Sequence, residues 1–147
     1  MSKPLCYLAG PMSGLPAYNH PAFRAYAAAI EAQGIYAVVN PADHGDDPNI
    51  PYSSYIQRGL EALFPCQAIA LMPYWEWSRG ALTEAIVAKA MGKVVFAVFL
   101  AEEEGIVWNT VRSHVFQSPK DIWGGSMELP SDVLQQYARF AKEGASA

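Results

Sequence analysis

Charge is scarce in this sequence, and so is cysteine. Asp, Glu, Lys and Arg together make up 16% of its 147 residues, and only two residues are cysteine. No run of lysines and arginines occurs, and the formal net charge is −4. That excludes the broad basic face that binding to a nucleic-acid backbone requires. A small anion stays within reach, because one arginine and a helix end suffice to hold it. Cys6 and Cys66 lie far apart, each in or beside an apolar, strand-like run. They are expected to be buried free thiols in a reducing compartment. No C-x-x-C pair and no Cys/His cluster has metal-binding spacing, so neither a metal nor a cofactor is expected. Long apolar runs are also missing. Val94 to Ala101 (V-V-F-A-V-F-L-A) falls well short of the roughly 20 residues of a membrane helix. The opening M-S-K-P-L-C-Y-L-A-G has too short an apolar segment for a signal peptide. These absences point to a cytoplasmic, soluble protein with no membrane partner.

Apolar residues are plentiful, at 52% of the chain, and the length suits one domain with one core. Leu5 to Ala9 reads as a strand stopped by Gly10-Pro11. A helix follows from about Pro21 to Gln33, with Asn19 or His20 as its cap and Gly34 as its stop. Ile35 to Val39 reads as a second strand and Tyr52 to Phe64 as a helix ended by Pro65. Ala68 to Met72 is unbroken apolar, as in a strand covered on both faces. Gly80 to Met91 reads as a helix and Val94 to Leu100 as a fourth strand. Ile106 to Val111 is expected as a fifth strand or a lid, and Ser118 to Leu129 as loop. Ser131 caps a last helix with Val133, Leu134, Tyr137, Ala138 and Ala141 on one face. The alternation implies an α/β fold. It would be a single domain over 1–147, a doubly wound, Rossmann-like or flavodoxin-like parallel sheet of four to five strands with helices on both faces. Residues 4–100 form its expected core and 101–147 a C-terminal strand or lid and a helix. In such sheets ligands bind at the carboxyl ends of the strands. Those ends carry the loops Gly10 to Asn19, Asn40 to Pro51 and Pro73 to Arg79.

One carboxylate stands out. The helix from Gly80 is apolar on nearly every side, yet Glu84 sits in its second turn. Its neighbours three and four positions away are Gly80, Ala81, Val87 and Ala88, so no cation on the same helix pairs with it. Either it points to solvent or pairs with a distant arginine, or it faces a ligand in the space its small neighbours leave. Just upstream, Ser78 is a good N-cap, Gly80 lets a ligand approach the backbone, and Arg79 adds a charge. An anion cradle followed one turn later by a carboxylate suits a phosphorylated sugar.

Y-L-A-G-P at Tyr7 to Pro11, with S-x-G-x-x-x-E at Ser78 to Glu84, resembles the nucleoside 2-deoxyribosyltransferase superfamily, which includes nucleoside 5'-monophosphate N-glycosidases. The fuller pattern adds N-P-A-D and L-M-P-Y-W-E-W-S-R-G-A-L-T-E and is most similar to a small branch found in phages and prophages. The resemblance spans about Leu5 to Val98. It implies that Glu84 is a nucleophile attacking the anomeric carbon and that Tyr7 orients it. It further implies that Gly10 and Pro11 belong to the first ligand loop; Ser13 and Asn19, on the same loop, are added as candidate substrate-binding residues, Asn19 reading first as a helix cap. Ser78, with Arg79 and Gly80, would hold a 5'-phosphate. The partner implied is a small-molecule nucleotide, and the assembly a homodimer or higher homo-oligomer.

Two positions depart from the pattern. Where relatives carry an aspartate that assists the departing base, this chain has Gly59, and where they often carry a second, it has Gln67. General acid help is worth about 10²–10⁴ in rate. Asp43, Asp46 or Asp47 could supply it, although with His44 they read first as a solvated loop. Trp75 and Trp77 read as packing or as an exposed oligomer contact. The activity expected is hydrolysis of the N-glycosidic bond of a nucleoside or deoxynucleoside 5'-monophosphate. The alternatives are 2-deoxyribosyl transfer to a free base and nucleotide binding with little catalysis.

Overall fold

The structure, a computed structural model, describes residues 2–44, 49–111 and 129–146, except the side chains of His44 and of 142–146. Asp46, Asp47 and most of the expected loop from Ser118 lie outside the described residues, as does His114. The elements are β1 (Leu5–Ala9), α1 (His20–Ala32), β2 (Ala37–Val39), α2 (Tyr52–Leu63), β3 (Ala68–Leu71), α3 (Arg79–Ala90), β4 (Val94–Ala101), β5 (Gly105–Thr110) and α4 (Ser131–Ser146). Short 3₁₀ turns cover Pro16–Asn19, Pro41–His44 and Trp75–Trp77.

The five strands form one sheet in the order β2-β1-β3-β4-β5. β1 to β4 are mutually parallel, with Tyr7 beside Val39 on one side and Ile69 on the other. This is the flavodoxin-like order, and its direction reverses between β1 and β3. β5 departs from the expected parallel sheet. It runs antiparallel to β4, Phe99 opposite Val107. The reason is local: Glu102 to Glu104 form a tight turn closed by Gly105 at φ +77°, and so short a connection can only return a strand antiparallel. The fifth segment is thus an edge strand, not a lid.

Strand periodicity sorts the core into two layers. Cys6 and Leu8 of β1 pack with Phe23, Tyr26 and Ile30 of α1 and with Val133, Tyr137 and Phe140 of α4. Tyr7 and Ala9, pointing the other way, pack with Leu63 of α2 and with Ala81, Leu82, Ala85 and Ala88 of α3. All of β3 is buried, as its unbroken apolar run requires. The face of α4 is narrower than expected. Val133, Tyr137 and Phe140 are buried at spacings of four and three residues, whereas Leu134 is 46% exposed and Ala138 is also exposed. Both cysteines are buried and unpaired. Among the described residues no helix is long and apolar enough to cross a membrane.

Candidate functional site

At the carboxyl edge of the sheet, where the strand order reverses, lies a cavity of about 420 Å³. β1 delivers Tyr7, Ala9 and Gly10 to it, α2 contributes one face, and the N-terminal turns of α3 close it. Gly10 permits the close approach of the β1 and β3 ends, since a Cβ there would stand 2.8 Å from Met72 Cβ.

Glu84 is the centre of the site. It is 8% exposed, although it lies on a helix in an otherwise apolar layer. Its partner comes from the sheet: the Tyr7 hydroxyl donates a hydrogen bond to the Glu84 carboxylate. Tyr7 reaches it because odd-numbered residues of β1 face α2 and α3. Burial pushes the Glu84 carboxyl up to about 8, and the bond from Tyr7 only partly offsets this. The Tyr7 phenol in turn is held well above its ordinary value, first by burial and then by the adjacent Glu84 charge. Glu84 is therefore largely protonated at neutral pH in the free protein and becomes a carboxylate as pH rises through about 8.

α2 meets this pair at Gly59. A Cβ at that position would lie 2.6 Å from Glu84 Oε2 and 3.1 Å from the Tyr7 hydroxyl. Gly59 thus faces the carboxylate, at the position where the resemblance implies an aspartate. Gln67 has a different job at the opposite edge of the sheet. Its Oε1 accepts from the Leu5 amide at 2.6 Å and its Nε2 donates to the Pro65 carbonyl at 3.2 Å, tying the starts of β1 and β3 together.

The N-terminus of α3 forms as expected, with Ser78 Oγ accepting from the Ala81 amide at 3.2 Å. The next amide is also engaged: Gly80 N–H donates to the Tyr52 hydroxyl, at the start of α2. An anion at this helix end would therefore compete with Tyr52 for the Gly80 amide. Arg79 lies near enough to Tyr52 to favour its ionised form, against the larger effect of burial.

Of the residues expected at the site, Tyr7, Gly10, Ser13, Ser78, Gly80 and Glu84 line the cavity. Pro11, Asn19 and Arg79 do not reach its surface. Asn19 is a correction on two counts. It occupies the N-cap position of α1 without capping it, and its side chain is 4% exposed. Instead Nδ2 donates to the Pro11 carbonyl at 2.9 Å, pinning the loop that carries Ser13. Ala17, Tyr18 and Asn19 all have left-handed backbones, at φ 52°, 51° and 61°, which hold this loop in a tight reversal before α1. Of the two readings of Trp75, packing holds: it is 4% exposed and belongs to the α2–α3 core.

The cavity further includes Tyr18, His20, Tyr52, Tyr55 and Arg58, which sequence reasoning gave no binding role or only a secondary one. For α2 a signal existed. Tyr55, Arg58, Gly59 and Ala62 recur at helical spacing, and all four line the cavity. Arg58 on that stripe breaks an otherwise apolar or small face. For Tyr18 no local signal existed, because its position depends on the left-handed run.

The family model described as a domain of unknown function (DUF4406) matches residues 4–97, which include every element that builds the cavity floor. No curated protein matches the chain in sequence. Among solved structures, a 2-desoxiribosyltransferase from Leishmania mexicana is similar in fold, with a TM-score of 0.51 and 15% identity over 95% of this chain and 97% of that one. The chain belongs to the DUF4406 family and shares the Rossmann-like fold of that 2-desoxiribosyltransferase.

Proposed function

We propose that the protein is an enzyme that breaks the N-glycosidic bond of a nucleoside or deoxynucleoside 5'-monophosphate by hydrolysis, with Glu84 as nucleophile. The observation that carries this reading is the Glu84–Tyr7 pair: a buried carboxylate, bonded on one side by a phenol, opening onto a cavity large enough for a nucleotide. The fold shared with a protein named as a 2-desoxiribosyltransferase supports it.

In this reading the Tyr7 bond orients the carboxylate, and a free Glu84 oxygen attacks the anomeric carbon. The base departs with the electron pair of the C–N bond, and a glycosyl ester forms on Glu84. Water then cleaves the ester. The 5'-phosphate takes over the Gly80 amide from the Tyr52 hydroxyl and contacts Ser78, with Arg79 nearby as a positive charge. Gly10 and Ser13 border the substrate. Pro11 and Asn19 act indirectly, by fixing the loop.

The test is base release from a panel of nucleoside and deoxynucleoside 5'-monophosphates, followed by chromatography, with wild type beside Glu84→Gln. Release that disappears in the variant is the expected result. Wild-type release equal to that of the variant would end the nucleophile assignment. Transfer to a free base is a second reading, favoured by the name of the structural relative. It requires that product form only when a free base is added. Saturable nucleotide binding with no release under either condition would make the protein a binder. The expectation of a homo-oligomer is checked by light scattering on the same sample.

A further inference from the structure

Glu84 is the one carboxyl group among the described residues that line the cavity. Cleavage at an anomeric carbon ordinarily uses two, one to attack and one to protonate the departing atom, about 5–5.5 Å apart in enzymes that form a glycosyl ester. The backbone position of α2 closest to Glu84 is Gly59, and the space there is already taken. A Cβ at 2.6 Å from Glu84 Oε2 is closer than real side chains come. A side chain at 59 would therefore require the Glu84 carboxyl to shift from its present place.

What α2 offers instead is Arg58, the neighbour of Gly59, exposed at the edge of the cavity and part of its lining. A guanidinium cannot serve as an acid at any ordinary pH, but it donates several hydrogen bonds and a full positive charge. It stabilises an anion; it does not protonate one. Tyr52, also on α2, holds its proton more firmly than an ordinary phenol because burial disfavours its ionised form. Among the described residues, the α2 side of the cavity therefore offers a cation and phenols rather than a second carboxyl group.

We propose that this pocket is built for an aglycone that leaves as an anion, a base with an acidic ring N–H such as an oxo-substituted pyrimidine, with Arg58 receiving its charge. The proposal rests on the glycosidase reading above. The step balances. Glu84 forms the new bond to the anomeric carbon, and the base leaves with the electron pair of the broken C–N bond. Water then cleaves the glycosyl ester and liberates one proton, which equals the proton the base anion takes up from solvent. Purines linked through N9 depart more readily once protonated on the imidazole ring, and no described carboxyl on α2 supplies that proton, so they suit this wall less well.

The experiment compares base release from the 5'-monophosphates of uridine, 5-fluorouridine and adenosine, and from their 2'-deoxy forms. Fluorination makes the uracil ring N–H more acidic with little change in size. Release is expected to be fastest from the fluorinated compound, slower from the uracil nucleotide and slowest from the adenine nucleotide. Arg58→Ala should lower kcat on the uracil nucleotide by about 10²-fold, the loss typical of a donor aimed at developing charge, with a smaller change in KM. Arg58→Lys should recover part of it. Equal rates for the uracil and fluorouracil compounds, faster release of adenine, or an unchanged kcat in Arg58→Ala would each overturn the proposal. So would a large loss confined to His20→Ala, which would make the cavity's imidazole the proton donor. No release from these compounds, with release from another member of the wider panel above, overturns the anionic leaving group and keeps the glycosidase reading; no release from any member removes both.

Discussion

The floor and the rim of the cavity are built on opposite principles. At the floor, β1, α2 and α3 converge through regular elements on Tyr7, Gly59 and Glu84, and the unusual feature is chemical: a buried carboxylate held up to about 8. At the rim, the loop from Gly10 to Asn19 carries no buried charge, and the unusual feature is conformational. Three consecutive non-glycine residues have left-handed backbones, and the Asn19 side chain ties the loop to Pro11. The floor stores unfavourable solvation at one side chain, whereas the rim stores unfavourable backbone geometry in three residues. A substitution that relieves either feature should therefore stabilise the protein, and only relief at the floor should abolish the chemistry.

The largest effect is expected from Glu84→Gln. Removing the nucleophile should lower base release by on the order of 10⁶-fold, as nucleophile or base removal does in a serine hydrolase. Wild-type turnover should rise with pH and level off above about 8, because attack requires the carboxylate. A rate that falls through that range would make Glu84 a proton donor instead. Stability should move in the other direction. Glu84 has a folded-state value raised from 4.5 to about 8, so the folded chain binds more protons than the unfolded chain between those limits. Wild type therefore loses stability as pH rises through that window, by a few kcal/mol in total, roughly. Glu84→Gln lacks this loss. It should unfold at higher urea than wild type at pH 9, with the difference shrinking toward pH 4.

Gly59→Ala tests the floor by crowding. Alanine gains about 1 kcal/mol over glycine inside a helix, yet its Cβ would meet Glu84 Oε2 at 2.6 Å. Collision should win, with a net loss of about 1–3 kcal/mol and reduced turnover. In a Glu84→Ala background the collision is gone, and the same change should stabilise by up to about 1 kcal/mol. A double-mutant cycle in urea reads that reversal of sign directly. The same sign in both backgrounds would mean that Gly59 and Glu84 do not meet.

At the rim, Asn19→Ala should cost about 2 kcal/mol in thermal unfolding. It leaves the Pro11 carbonyl without its donor and places alanine in a left-handed conformation that asparagine tolerates better. The smallest effect, and of opposite sign, is expected for Ala17→Gly. Glycine adopts φ 52° without steric cost, so the melting temperature should rise by the equivalent of up to about 1 kcal/mol. A fall would show that the left-handed run is not strained.

This contrast also explains which parts were legible in the sequence. β1 from Leu5 to Ala9, the buried run of β3 and the Ser78 cap of α3 all rest on interactions within a few residues, and they stand where periodicity and capping rules put them. The failures are non-local. Asn19 carries a good capping side chain but spends it on Pro11, eight residues back. Leu134 fits an apolar helical stripe, yet among the described side chains of α4 the buried ones are Val133, Tyr137 and Phe140. Glu84 could be identified as anomalous from its helix alone, whereas Tyr7, 77 positions away in the chain, is reached through the family resemblance and not through any local pattern.

By itself, the sequence determined the succession of strands and helices and the presence of one misfit carboxylate. These follow from chain-local sterics and from periods of two and 3.6 residues, which operate before any long-range contact exists. Only the tertiary structure decided that Glu84 is bonded by a phenol and crowded against Gly59. It also decided that Arg58 faces the same cavity and that Tyr52 covers the Gly80 amide. Each of these joins groups from different elements. Their solvation and spacing exist only once α2 and α3 have packed together on one face of the sheet.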